Sequence, residues 1–358
     1  MSARKFNVGI IGYGLSAKIF HIPFVTYVPE LNLHAIVQRS PKPDNDARKD
    51  HPGVQIYPSV DDLCQDEMVD VVIVTTAPDQ HFPLAKQALE AGKHVVVEKP
   101  FTPTSKEAYE LTDLANKQKR LLTVYQNRRW DADFLTLSKY INNGSLGRVV
   151  DFETHFDRYR PQAPNSDSWK YKVQPGGGAI YDLGIHLIDQ VVYLFGTPKR
   201  ITAFIGTQRE PNPTGFEDSC TIHMHYDGKM ATARASVVSP EVNQLRYWVR
   251  GDKGSFKKFH LDCQEEQLKA GMRPGDAGYG LEPQDRYGVL TMVDNGEITS
   301  EVVPTVEPAT YAEYYRKLAR ALAGDTKQLP VDPNTASLII RLVELALQSS
   351  SSGKTMDV

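Results

Sequence analysis

The chain has 358 residues, 41% of them hydrophobic and 24% charged, with a formal net charge of -3 at pH 7. That length suits two domains better than one, and the composition supports a core without covalent staples. The near-balanced charge argues against a nucleic-acid or membrane-surface partner. Cys64, Cys220 and Cys263 are widely spaced, with no CxxC pair and no zinc-finger spacing, which suits a reducing compartment better than a disulfide framework. The N-terminus passes from a few polar residues straight into a strand-like run, without the apolar stretch and cleavage site of a signal peptide. No run approaches the roughly 20 apolar residues of a membrane span. The cytoplasm is the expected location.

Residues 6–11, 31–37, 69–75, 94–97 and 121–124 are short apolar runs, several of them β-branched throughout. Runs apolar on both faces read as buried parallel strands. Between them lie helical patterns, the clearest at 82–91, which stops at Gly92, and at 105–118, which Thr104 can cap. The alternation predicts an α/β fold whose first 123 residues form a doubly wound parallel sheet. After about Tyr125 the texture changes. An amphipathic helix is predicted over 134–142, a strand with one wet face over 149–156, a loop over 159–178 and a helix over 180–195, closed by Gly196. Alternating segments joined by turns such as Asp227-Gly228 fill 201–260 and predict an antiparallel sheet. Residues 271–287 are turn-rich, helices are predicted near 311–323 and 334–348, and the serine-rich tail reads as loose. Residues 124–358 are thus expected to form an α/β domain with a large, mainly antiparallel open sheet. There is no internal repeat.

Gly12-Tyr13-Gly14-Leu15-Ser16-Ala17 is a GxGxxA match lying between the first apolar run and a helical pattern, the context a dinucleotide-binding loop requires. Gly12 permits the tight turn, Gly14 lets the backbone approach a pyrophosphate, and Ala17 lets the helix pack against the sheet. The helix start, including Leu15 and Ser16, offers unpaired N–H groups and a positive dipole end to phosphates. The second run ends in Val37-Gln38-Arg39-Ser40, with no carboxylate before Asp44. A carboxylate there would bind the ribose 2′-hydroxyl of NAD, whereas Arg39 and Ser40 can cover a 2′-phosphate, so NADP is favoured. If Arg39 is only a solvated loop residue, NAD binds as well.

Glu98-Lys99-Pro100, the dense stretch from His81 through Gly92 to Pro100, Asn127-Arg128-Arg129-Trp130-Asp131, Phe156-Asp157-Arg158-Tyr159-Arg160-Pro161 and 181–190 (YDLGIHLIDQ) carry a resemblance. Taken together they resemble the Gfo/Idh/MocA oxidoreductase family across nearly the whole chain, most closely its branch of NADP-dependent scyllo-inositol dehydrogenases. The resemblance implies a Rossmann N-terminal domain, with Thr76, His81, Glu98 and Lys99 beside the cofactor and Lys99 also reaching the reaction site. Ala77-Pro78 departs from the Pro-Asn common in relatives, although Pro78 still suits a turn.

Hydride transfer at a carbinol needs an acid/base group and preorganised donors. Asp182 and His186 stand four apart on one predicted helix and so share a face. Asp189 and Tyr193 extend that polar stripe along an otherwise apolar helix. The resemblance places the pair in the substrate pocket, with His186 as general acid/base and Asp182 as its hydrogen-bond partner or the substrate's. Gly176-Gly177-Gly178, just before this helix, would let backbone approach a ligand or merely loosen the helix entrance. Asn127, Arg129, Trp130, Arg158 and Tyr159 are candidate substrate-lining groups, because polyol recognition uses several donors and an aromatic wall. His223 and His225 share a strand face, but without a third ligand a wet sheet face is the better reading, and no metal is expected.

The combined expectation is an NADP-dependent dehydrogenase of a cyclic polyol or sugar, homodimeric or homotetrameric through the C-terminal sheet. Two alternatives stay open: a non-catalytic NADP(H) sensor, and a reductase of a non-sugar C=C or C=N bond.

Overall fold

The computed structural model describes residues 4–162, 173–212, 215 and 217–358. Half of the loop expected over 159–178, residues 163–172, lies outside them. The chain groups into two compact units that are discontinuous in sequence, which no single cut near residue 123 describes. The first comprises residues 1–127, 265–279 and 309–338, and the second comprises 128–264, 280–308 and 339–358. Among the described residues no helix is long and apolar enough to cross a membrane.

The first unit is built on six parallel strands: β1 (Phe6–Ile11), β2 (Leu31–Val37), β3 (Gln55–Tyr57), β4 (Val71–Val74), β5 (His94–Val97) and β6 (Leu122–Val124). Their order is β3-β2-β1-β4-β5-β6. The β-branched run of β4 is buried throughout, as a central strand covered by helices on both faces must be. The edge strand β3 is the element the sequence pattern hid: one exposed and two half-buried residues give no periodic signal. Thr104 caps the helix Ser105–Gln118 through a reciprocal capping box with Glu107. The late segments join this unit because their aromatics complete its core. Tyr311, Tyr314 and Tyr315 are fully buried, and Phe24 stacks on Tyr315 at 6.0 Å. Thr123 fixes the 309–338 segment by donating to the Val331 carbonyl (2.9 Å) and accepting from its N–H (3.2 Å).

The second unit carries a nine-stranded sheet. Its strands are β7 (Val149–Asp157), β8 (Arg200–Gly206), β9 (Ser219–Tyr226), β10 (Lys229–Ser236), β11 (Leu245–Gly251), β12 (Gly254–Phe259), β13 (Gly288–Asp294), β14 (Glu297–Val303) and β15 (Met356–Asp357). Their order is β14-β13-β12-β11-β7-β10-β9-β8-β15, antiparallel except where β7 runs parallel to β10. One face packs against the helix Ile185–Phe195, where Phe152 meets Phe195 edge-on at 5.3 Å. On the other face Phe204, Ile298 and Val302 are exposed. The serine-rich tail is ordered, contrary to its loose appearance in sequence. The helix Pro333–Ser352 runs through it, and the chain then adds β15 beside β8. The reason is specific hydrogen bonding: Ser349 and Ser350 accept the β8 backbone N–H groups of Ala203 and Ile205, each at 2.9 Å. His223 and His225 pair with Thr232 and Thr202 on neighbouring strands, at 3.1 and 3.0 Å, which is how a wet sheet face satisfies two imidazoles.

Candidate active site

The strand order of the first unit reverses between β1 and β4, and open α/β sheets bind ligands at the carboxyl ends of strands beside such a reversal. The loops leaving β1, β4 and β5 carry the glycine motif, Thr75 to His81, and Glu98-Lys99. Gly12 has φ +101°, and a Cβ there would lie 2.9 Å from the Thr75 hydroxyl, so only glycine makes this turn without strain. Gly14 is open, with nothing within 4 Å of where its Cβ would stand, and Leu15 beside it is 55% exposed. The loop therefore presents bare backbone at the start of a helix, which fits a dinucleotide pyrophosphate.

That helix, 15–27, is not regular. Ala17–His21 forms a π turn before the α-helical Ile22–Tyr27. Pro23 has no N–H to donate, and its ring would crowd the carbonyl four residues back in a regular helix. The Phe20 carbonyl in the π turn accepts from the Tyr125 hydroxyl at 2.8 Å. At the end of β2, Gln38 is buried and holds the following loop by bonds to the Asn45 carbonyl (2.7 Å) and the Ala47 N–H (2.8 Å), leaving Arg39 and Ser40 exposed.

Glu98 is the hub of this site. Its Oε1 accepts from the Ser16 hydroxyl and lies 2.8 Å from His21 Nε2, while Oε2 accepts the Lys99 N–H at 2.9 Å. Burial pushes the carboxyl up, but the hydrogen bonds from His21 and Ser16 and the charge of Lys99 outweigh it, bringing the pKa down to about 2. A depressed carboxylate contributes stability above its ordinary range near 4.5 and loses it as pH falls toward 2. Wild-type stability to denaturant should fall as pH drops from about 5 toward 2, by on the order of 3 kcal/mol over that whole window, and Glu98→Gln should flatten that slope. An unchanged slope would show that Glu98 is not held as a carboxylate.

His81 is fully buried. Its Nδ1 lies 2.7 Å from the Pro100 carbonyl and its Nε2 3.1 Å from the Thr76 carbonyl. Burial holds its pKa below the usual imidazole value. The ring thus ties the loop after β4 to the loop after β5, and Thr76 and Lys99 are half-buried at the two ends of that tie.

In the second unit, Asp182 and His186 do share one helical run, but its first turn, Ile180–Gly184, is a π turn. Such turns occur often at functional positions. Gly178 enters it at φ +93° with the Glu217 carboxylate 3.2 Å from its Cβ direction, so glycine is needed there. Asp182 is exposed and His186 is 5% exposed. The His186 ring centroid lies 6.4 Å from that of Phe156, whose ring carries the Arg128 and Arg158 guanidiniums, each at 4.5 Å. Tyr159 is exposed, while Trp130 is buried and its carbonyl accepts from Gln264 at 3.0 Å. Arg129 is paired within the second unit. Two of its guanidinium nitrogens grip Asp189 at 2.9 and 2.7 Å, so it holds the His186 helix in place. Asp189 consequently drops out of the polar stripe. Asn127 is buried in the first unit, at the start of a 3-10 turn reaching Trp130.

Two family models cover the chain: an oxidoreductase family NAD-binding Rossmann fold over residues 6–126, and the C-terminal alpha/beta domain of the same family over residues 138–358. The chain belongs to the Gfo/Idh/MocA oxidoreductase family. It is similar to the oxidoreductase C115.03 of Schizosaccharomyces pombe, at 39% identity over 98% of this chain and 99% of that one. It is also similar to the scyllo-inositol 2-dehydrogenase (NADP(+)) IolW of Bacillus subtilis, at 35% identity over 98% of this chain and 95% of IolW. Among solved structures, the oxidoreductase yvaA of Bacillus subtilis superposes with a TM-score of 0.94 at 34% identity, covering 100% of this chain and 99% of that one.

Sequence reasoning missed His21, Tyr315 and Gln38 in this Gfo/Idh/MocA protein. One signal was available for His21. It is an imidazole on an otherwise apolar stretch (Ile22, Pro23, Phe24, Val25), a few residues past the glycine motif, and a buried ionisable group there needs a partner. Tyr315 lies 294 positions away and gave no local sign.

Proposed function

We propose that this protein is an NADP-dependent dehydrogenase of a cyclic polyol or sugar, with scyllo-inositol as the first substrate to test. The observation that supports it most is the pair Asp182–His186 on a π-turned helix start, in a chain whose glycine loop fits a dinucleotide and which resembles IolW along its length. The backbone from Gly12 to Ala17 would hold the pyrophosphate, Arg39 and Ser40 the 2′-phosphate, and Thr76, His81, Glu98 and Lys99 would shape the nicotinamide end. When bound, the nicotinamide supplies the hydride acceptor or donor.

The chain's own residues manage the proton and the geometry. His186 takes the proton of the reacting hydroxyl in oxidation and returns it in reduction. Asp182 hydrogen-bonds the imidazole or a neighbouring substrate hydroxyl. Lys99 polarises the reacting oxygen, and its backbone is fixed by Glu98. Asn127, Trp130, Arg158 and Tyr159 supply donors and apolar wall to the rest of the ring, while Arg129 acts through Asp189. The free thiols Cys64, Cys220 and Cys263 accord with a reducing compartment such as the cytoplasm.

The test is absorbance of the reduced cofactor with purified protein, NADP⁺ or NAD⁺, and a panel of inositols and aldoses. Turnover with one of these and a preference for NADP⁺ is expected. NADPH binding without turnover on any polyol would favour the sensor or the C=C/C=N reductase. The exposed Phe204, Ile298 and Val302 on the open sheet face support a homo-oligomer assembled through it. Light scattering should then give the mass of two or four chains, and a monomer mass would refute that assembly.

A further inference from the structure

Glu98 is held from behind by a second partner layer. His21 is wholly buried, and its two ring nitrogens are both engaged: Nε2 with Glu98 Oε1 at 2.8 Å and Nδ1 with the Tyr315 hydroxyl at 2.6 Å. The Tyr125 ring lies 4.5 Å from the imidazole on one side, and the wholly buried Tyr315 meets it edge-on at 6.3 Å. A carboxylate only accepts, so His21 must donate from Nε2. A neutral imidazole then has only an acceptor at Nδ1, and the phenol must donate to it. With a neutral imidazole these bonds are satisfied by one arrangement, Tyr315 O–H to Nδ1, Nε2–H to Glu98, and Ser16 O–H to the same carboxylate oxygen, whereas an imidazolium would donate from both nitrogens.

We infer that Tyr315 and His21 form a buried tautomer lock that positions Glu98, and through it both the glycine loop at Ser16 and the backbone of Lys99, for dinucleotide binding. Tyr315 stands on the helix Ala312–Leu322, far along the chain from the strands and loops that hold the cofactor. The late segment at 309–338 is therefore more than packing for the first unit. It supplies the donor to Nδ1 of the imidazole that holds Glu98, the carboxylate on which two cofactor loops converge. His21 and Tyr315 are positioning residues and touch no reacting atom.

The inference rests on reading the Gly12–Ala17 loop as the cofactor cradle, and the experiment separates the two. Protein with nitrogen-15-labelled histidine is compared with Tyr315→Phe, His21→Leu and His21→Gln, the last two also identifying the His21 signal by its loss. In the wild type the spectrum should show His21 protonated on Nε2 alone with a hydrogen-bonded Nδ1, and Tyr315→Phe should shift the Nδ1 resonance toward that of a free acceptor nitrogen. NADPH titration by fluorescence should show Tyr315→Phe weaker by roughly threefold to tenfold. His21→Leu should be weaker still. His21→Gln, whose amide N–H can donate to Glu98, should recover most of the affinity, which simple loss of packing would not allow. A wild-type proton on Nδ1, or NADPH affinities unchanged in both Tyr315→Phe and His21→Leu, would overturn the lock. A wild-type protein that binds neither NADPH nor NADH would overturn the cofactor reading instead, and the lock's role in binding with it.

Discussion

Replacing His186 by alanine will lower kcat on the favoured polyol by about 10²- to 10⁴-fold and leave NADPH affinity unchanged to within about twofold. The imidazole belongs to the one histidine on its helix and is nearly buried. The neighbouring Asp182 is exposed, and Asp189 is occupied by Arg129. The glycine loop, Arg39 and Ser40 belong to the other compact unit. Steady-state kinetics and NADPH fluorescence on the same preparation separate the two effects. Loss of NADPH affinity with kcat preserved would move His186 from proton transfer to cofactor binding.

The second large effect is on stability. Arg246 on β11 is fully buried. Its Nε donates to Asp133 at 2.9 Å, one terminal nitrogen to Thr154 and the His155 carbonyl at 3.0 Å each, and the other to Gln190 at 3.0 Å. Gln190 also accepts from Tyr247 at 2.9 Å and donates to the Arg128 carbonyl at 2.8 Å. Arg246→Leu therefore strands a buried carboxylate and several acceptors at once, and should cost about 3–5 kcal/mol. Asp262 nearby is already pushed well above the carboxylate range by burial and by Asp131 and Asp133, so the region has little capacity for another uncompensated negative charge. Chemical denaturation measures the loss. Adding Asp133→Leu to Arg246→Leu should recover part of it, because an apolar pair leaves fewer groups unsatisfied. A loss under about 1 kcal/mol would mean that solvent reaches the guanidinium site.

The parts of this architecture that were legible from sequence are those set by local pattern. Apolar β-branched runs such as 71–74 read as central parallel strands, and the GxGxxA loop announces a turn whose φ at Gly12 duly lies in the left-handed region. What local pattern could not carry was anything decided by distant partners. The three residues of β3 are a strand because β2 offers them an edge, and the serine tail is ordered because β8 presents unpaired N–H groups to Ser349 and Ser350. Arg129 carries the same charge whether it faces a polyol or Asp189, so its spacing could not distinguish the two. The two π turns were hidden for a related reason. Periodicity marks where a helix lies, while the widening of one turn depends on details such as Pro23 just after the first of them.

The most direct test of the central claim follows the transferred atom. The protein would be incubated with NADP⁺ and scyllo-inositol carrying deuterium on its ring carbons, or with an equally labelled aldose if the panel favours one. The reduced cofactor is then examined by NMR. The account predicts deuterium at C4 of the nicotinamide and a matching carbonyl product. Reduced cofactor without deuterium, or bound NADP(H) with no transfer from any labelled polyol, would contradict it.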